Sequence, residues 1–350
     1  MSVNEDLPVA ELRSLTRRWP GDRGGHVWPK DREAIAPDGA RIRYTVRGAA
    51  QGPWVVLCSG YLCPDNFWHG LGRALMERHR VIILNYRSVG ASSHPRDPGW
   101  RARDLDTDDY AIPTLADDVA SVLDAEGARN AVALGHSMGC QVALQLWRAR
   151  PDLVDGLVLI TGPFASPLHT FYGTRLGAHL FPLARFGVPL LPRMVQRGLL
   201  KSARLPIAVP AARLARALGP ATPAEGMADY LQHLGEIEPM VALRQAEAMH
   251  EFDAGPWLDE VDVPTLVVVG DRDTFSPPEI GDRLVARVGP SELVTVDGGT
   301  HAALLEHPLE IHDAVADFVR RRLEGPAWRR LGAADVVSAA RGWGEARASA

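Results

Sequence analysis

Along the chain, short runs of consecutive apolar and β-branched residues alternate with longer stretches in which Leu, Val and Ala recur at three- and four-residue spacing. The first pattern predicts strands over 42–46, 54–57, 81–84, 131–134, 157–160, 265–269 and 293–296. The second predicts helices over 115–126, 141–148 and 311–323. Strands and helices alternating in this way make βαβ units, so the expected fold class is α/β: a mostly parallel central sheet with helices on both faces. Runs such as Val-Val-Leu-Cys at 55–58 are apolar on successive residues, as a strand covered on both sides must be. Asp38-Gly39, ahead of the first run, is a hairpin turn and adds an antiparallel pair at the start of the sheet.

The rhythm breaks between Gly162 and about Leu258. Prolines at 163, 167, 182, 189, 192, 206 and 210 cut that stretch into short pieces, with apolar helical patches around 171–181 and 240–249. We read it as an inserted helical cap, 163–258, which divides a core into a first part, 31–162, and a second part, 259–323. Residues 1–30 read as an N-terminal arm, and 324–350, rich in Gly, Ala and Arg, as a weakly ordered tail. One large domain with an insertion suits a length of 350 residues better than two independent domains.

Composition narrows the function classes. Apolar residues are 46% and charged residues 23%, the balance of an ordinary globular protein. A net charge of -5 supplies no basic field for nucleic acid, so none is expected as a partner. The first ten residues carry Glu5 and Asp6 and lack the basic and apolar regions of a secretory signal; no apolar run reaches the roughly 18 residues of a membrane span. Three cysteines, Cys58, Cys63 and Cys140, read as free thiols in a reducing compartment, and the expected location is cytoplasmic. The acidic run Asp104, Asp106, Asp108 and Asp109 reads as a solvated loop, and His169, His179, His233 and His250 lack zinc-ligand spacing. No metal and no cofactor are expected.

The strongest chemical signal is Gly135-His136-Ser137-Met138-Gly139, which follows an apolar strand and precedes a helix. This is a G-x-S-x-G turn in the context that lifts a serine hydroxyl above a sheet. A serine hydroxyl needs a base. His301 follows the strand at 293–296 through Asp297-Gly298-Gly299-Thr300, a turn able to raise an imidazole over the sheet edge, and is preferred to His307. The base needs a carboxylate, and Asp273, past the strand at 265–269, is chosen over Asp271 and Asp297. The expected catalytic set is therefore Ser137, Asp273 and His301. Oxyanion donors are expected from the backbone N–H of Met138, at a helix start, and of Tyr61, in Cys58-Ser59-Gly60-Tyr61-Leu62. In the cap, Phe171, Leu176, Phe181, Phe186 and Met194 are candidates to line an acyl pocket.

These motifs resemble the α/β-hydrolase superfamily, in its group of serine esterases, lipases and cofactor-free haloperoxidase-like enzymes, over residues 31–323. The chain is similar to that group also in Asn85-Tyr86-Arg87-Ser88-Val89-Gly90-Ala91-Ser92 and in Trp68 after the oxyanion loop, a further candidate for substrate contact. It departs from the family pattern at Ser59, where a histidine is usual, and at Cys140, where a glycine is frequent. The resemblance implies an α/β-hydrolase fold and hydrolysis of a small-molecule ester with an apolar portion. A thioesterase, lactonase, acyltransferase, C–C hydrolase or perhydrolase would use the same three residues, and a ligand-binding module without turnover is the alternative from another class.

Overall fold

The computed structural model describes residues 28–170 and 173–322. Eight strands form one sheet: β1 (Arg32–Ile35), β2 (Arg41–Gly48), β3 (Trp54–Cys58), β4 (Arg80–Leu84), β5 (Ala131–His136), β6 (Val154–Ile160), β7 (Thr265–Gly270) and β8 (Ser291–Val296). Their spatial order is β1-β2-β4-β3-β5-β6-β7-β8. β1 and β2 are an antiparallel hairpin closed at the Asp38-Gly39 turn, β2 is antiparallel to β4, and every later pairing is parallel. The chain thus has the α/β-hydrolase architecture, with a mostly parallel sheet and helices on both sides.

Successive residues of the central strands feed opposite cores, as the two-residue period requires. Val56, Ala133 and Val267 belong to one buried cluster, with α2 (Ile112–Ala125), α3 (Met138–Ala149) and α9 (Pro278–Val285). Val55, Val132 and Leu266 belong to the other, with α1 (His69–Met76) and α11 (Pro308–Arg322). α10 (Ala303–Glu306) is a single turn between β8 and α11. β8 is the edge strand and is half exposed, which explains why only its last four residues read clearly as a strand.

Strand order reverses at β3. The chain leaves β3 for β4 on one side, while β5 lies on the other, so the loops after β3 and β5 diverge and leave a crevice at their carboxyl ends. Above that crevice lie five helices inserted between β6 and β7: α4 (Leu176–Gly187), α5 (Arg193–Ser202), α6 (Ala208–Leu214), α7 (Ala224–Leu234) and α8 (Pro239–Glu251). Pro182, expected to break the chain, is accommodated inside α4.

Residues 28–30, placed by sequence in an outlying arm, pack on the fold instead: Trp28 is buried against α1, and Lys30 Nζ reaches the buried Asp65 carboxylate. A buried apolar indole and an ammonium that donates to the Trp28 carbonyl and to the Asp65 carboxylate make that docking favourable. Residues 1–27 and 323–350, which hold the rest of the arm and the tail, lie outside the described residues.

The loop after β4 is organised by Arg87. Its guanidinium, fully buried, donates from Nε and Nη2 to Asp118 on α2 at 2.9 and 2.6 Å and from Nη1 to Asp38 at 2.6 Å. A buried charge of this kind holds only while its counter-charge is present. Asp118→Ala is expected to lower unfolding free energy by about 3–5 kcal/mol in urea titration, because the guanidinium loses its buried counter-charge and two of its hydrogen bonds and keeps only the half-exposed Asp38 as a counter-charge. Asp38→Ala, at the half-exposed partner, should cost about 1 kcal/mol or less.

Candidate active site

β5 runs directly into the turn that carries Ser137. There the backbone stands at φ 55° and ψ −122°, a conformation costing about 1–3 kcal/mol for a residue with a side chain. Close approach on both sides enforces it. A Cβ at Gly135 would lie 2.4 Å from the Gly139 carbonyl oxygen, and a Cβ at Gly139 would lie 1.9 Å from the carbonyl oxygen of Cys58 in β3. Only glycine lets the start of α3 sit this close to the end of β3. Cys140 fits beneath the turn because Gly162 opposite it has no Cβ, which would otherwise fall 2.2 Å from Cys140 Sγ.

Three side chains from three loops meet above the sheet. Ser137 Oγ lies 2.8 Å from His301 Nε2, and His301 Nδ1 lies 2.9 Å from Asp273 Oδ2. The Asp273 carboxylate is buried, and its Oδ1 accepts the backbone N–H groups of Phe275 at 2.7 Å and Ser276 at 3.0 Å. Asp271 and Asp297 are exposed and make no bond to an imidazole; His307 faces Glu310 on α11. The Phe275 ring stacks on the His301 imidazole at 4.8 Å between centroids and limits its rotation.

The loop after β3 lies against this group: a Cβ at Gly60 would stand 3.1 Å from both Ser137 Cβ and His136 Nδ1. Its braces come from two directions. Trp68 Nε1 donates to Ser59 Oγ at 3.0 Å from below, while the helical insertion holds it from above, where Tyr61 donates its hydroxyl to Ala242 O at 2.8 Å and Leu62 N–H donates to Gln245 Oε1 at 3.3 Å. Trp68 is therefore not a substrate contact. It is completely buried, and its polar edge is spent on the serine that stands where the family usually has a histidine. Met138 is the first residue of α3, so its N–H has no partner within the helix.

A cavity of about 420 Å³ opens above Ser137 and His301. Leu168, Val209, Met227, Tyr230 and Phe275 supply much of its wall, and none of its described lining residues is Asp, Glu, Lys or Arg. Phe181, expected there, is not among them; it packs edge-on against His250 at 5.5 Å. Leu176, Phe186 and Met194 point outward and are largely exposed. Helical spacing identified these residues as a stripe but could not say which way the stripe faced. Phe171 lies outside the described residues.

Two residues that sequence reasoning passed over hold His301 in place. His136, inside the motif itself, lies 3.2 Å through Nε2 from the His301 carbonyl oxygen and stacks on Phe67. Burial, and after it the neighbouring His301, pushes its imidazole down to about 3, so it stays neutral. Glu306 on α10 accepts the N–H and hydroxyl of Thr300 at 2.8 Å each, together with the Gly219 N–H at 3.1 Å and the Thr222 hydroxyl from the insertion. One carboxylate thus ties the insertion to the residue preceding His301. A glutamate five residues after that histidine is visible in sequence, but its partners are not.

A family model described as the alpha/beta hydrolase fold matches residues 53–308. The chain belongs to this family. The putative carbamate hydrolase RutD of Caulobacter sp. (strain K31) is 27% identical over 278 residues, covering 76% of this chain and 90% of that one. Polyketide synthase ThaQ of Burkholderia thailandensis is 30% identical over 329 residues, 91% of this chain, but the chain spans only 14% of that protein's length. A hydrolase from Pseudomonas aeruginosa has a similar structure, with a TM-score of 0.64 at 26% identity, over 82% of this chain and 97% of that one. Among the described residues no helix is long and apolar enough to cross a membrane.

Two measurements test the packing around His301. The unfolded chain binds a proton on His136 near pH 6.5 and the folded chain not until about 3, so below about pH 6.5 this group costs about 1.4 kcal/mol of stability per pH unit. Urea titrations at pH 7 and pH 5 should show that loss, and His136→Gln should make the pH dependence shallower by one proton. Glu306→Ala strands buried donors on Thr300 and Gly219 and is expected to lower unfolding free energy by about 2–4 kcal/mol in the same titration at pH 7.

Proposed function

We propose that the chain is a serine hydrolase that cleaves carboxylic esters with an apolar portion by way of an acyl-enzyme. The observation that carries this reading is the unbroken run of hydrogen bonds from Asp273 through His301 to Ser137, at the floor of a cavity without charged walls. In this reading His301 Nε2 takes the hydroxyl proton as Ser137 Oγ attacks the ester carbonyl carbon. Asp273, fixed by two backbone N–H groups, keeps the other ring proton on Nδ1 and stabilises the imidazolium that forms. The Met138 and Tyr61 N–H groups take up the negative charge that builds on the carbonyl oxygen. The carbon–oxygen bond then breaks, His301 hands its proton to the departing alcohol, and water deprotonated by His301 repeats the attack on the acyl-enzyme.

The relatives named putative carbamate hydrolases support an acyl-bond hydrolysis, since a carbamate also presents a carbonyl carbon to a nucleophile. The cavity wall favours a different substrate here. A small anionic carbamate would find no counter-charge among the described lining residues, whereas an apolar acyl or alcohol group would replace water over most of the surface.

Treatment of the folded protein with a fluorophosphonate should add one label, on Ser137, and Ser137→Ala should take none; a folded protein that fails to label overturns the reading. With an activated ester, Asp273→Asn is expected to slow acylation about 10⁴-fold, as loss of the orienting carboxylate does in other Ser-His-Asp sites. Asp271→Asn should leave it within about twofold, since exposed surface changes away from a site are close to neutral.

A further inference from the structure

The outer layer of the insertion has a composition unlike that of the rest of the molecule. Of 43 acidic residues none falls between Gly156 and Ala224, while seven arginines and one lysine do, in a protein of net charge -5. Among the described residues, the same stretch holds most of the large exposed apolar side chains: Leu183 is 72% exposed, Phe186 70%, Leu190 85%, Met194 84%, Ile207 70% and Leu214 88%. In α4, α5 and α6 together the only buried residue is Gln196. These three helices therefore rest on the protein by a thin contact and present both apolar and basic groups outward. Single exposed apolar residues are ordinary on a protein surface; this many, on consecutive elements, mark an interaction site.

Charge and shape point to one occupant. On α5, Arg193, Arg197 and Lys201 recur every fourth residue beside Met194, Val195 and Leu199, so a cationic stripe flanks an apolar one. Arg193 and Arg197 share Glu238, the residue before α8, at 3.0 and 3.4 Å, yet remain 60% and 57% exposed; Arg185 and Arg204 also pair with glutamates. Helices with Lys or Arg on one side and Leu, Phe or Met on the other lie in the headgroup region of a bilayer, with the apolar side chains in the acyl boundary and the cations among anionic headgroups. The layer is also a wall of the cavity: Val209 and Ala212 of α6 line it, while Ile207, just before that helix, and Leu214, its last residue, are exposed.

We propose that α4–α6 form a docking face for an anionic lipid surface, bringing the roof of the apolar cavity against the bilayer. The face operates whatever bond the site beneath it breaks. Cosedimentation with vesicles of phosphatidylcholine alone, and of phosphatidylcholine with phosphatidylglycerol, tests it on the full chain without any turnover. Binding is expected to the phosphatidylglycerol vesicles, to weaken as salt is raised from low to high, and to fall by about tenfold or more in Arg197→Glu/Lys201→Glu and in Leu183→Glu/Phe186→Glu. Leu183 and Phe186 are exposed, so thermal unfolding of Leu183→Glu/Phe186→Glu should match the parent protein; Arg197 also pairs with the buried Glu238, so Arg197→Glu/Lys201→Glu is compared at a temperature where its own unfolding curve shows it folded. Absence of binding to the anionic vesicles, binding indifferent to salt, or binding unchanged in both variants overturns the proposal. So does a stable dimer in sedimentation velocity that Leu183→Glu/Phe186→Glu converts to monomer, because the face would then be covered by a second copy.

Discussion

Ser137 is held at a positive φ by contact between two pieces of backbone, and much of the site's geometry follows from that contact. The first turn of α3 touches the end of β3 so closely that Gly139 can carry no side chain. Because α3 cannot retreat, the loop leaving β3 runs past Ser137, and the Tyr61 and Met138 amides belong to neighbouring backbone. The reversal of strand order at β3 then sends the helices that follow that loop and the serine turn to opposite faces of the sheet, and the cavity opens above the carboxyl ends of the strands. A strained residue of this kind persists only when its surroundings over-determine it, and here two parallel strands, a helix and Gly162 do so.

The helical insertion is part of the site and not merely its cover. Ala242 and Gln245 of α8 hold the loop after β3, and Gly219 and Thr222 share Glu306 with the residue before His301. The insertion is therefore tied by hydrogen bonds both to the loop after β3 and to the residue before His301. Its inner surface is uncharged and apolar, which fits a cavity that gains affinity by displacing water. Its outer surface is apolar and basic. The two surfaces are separated at α6 by a single helix.

Much of the core could be read from the chain alone. Seven strands, the hairpin before them, the helices at α2, α3 and α11, and the break in rhythm at the insertion all have local causes: period-two or continuous apolar runs, 3.6-residue spacing, and clustered proline. Ser137 was legible for the same reason, since strand, glycine-bracketed serine and helix are consecutive. Its companions were less so. Asp271, Asp273 and Asp297 are alike in sequence, and what distinguishes Asp273 is burial with two backbone N–H donors, a property of the folded loop.

Sequence by itself determined the order of elements, the strained turn that presents Ser137, and the set of residues from which a base and a carboxylate could come. Each of these is carried by neighbours along the chain, where backbone sterics and hydrophobic period act over a few residues. Tertiary structure alone decided that Trp68 braces Ser59 instead of meeting a substrate, that His136 and Glu306 hold the His301 loop, and that Leu176, Phe186 and Met194 face outward. Those facts depend on contacts between residues up to 165 positions apart. No local pattern encodes which face of a helix its neighbours will cover, because that is set by where other elements stop.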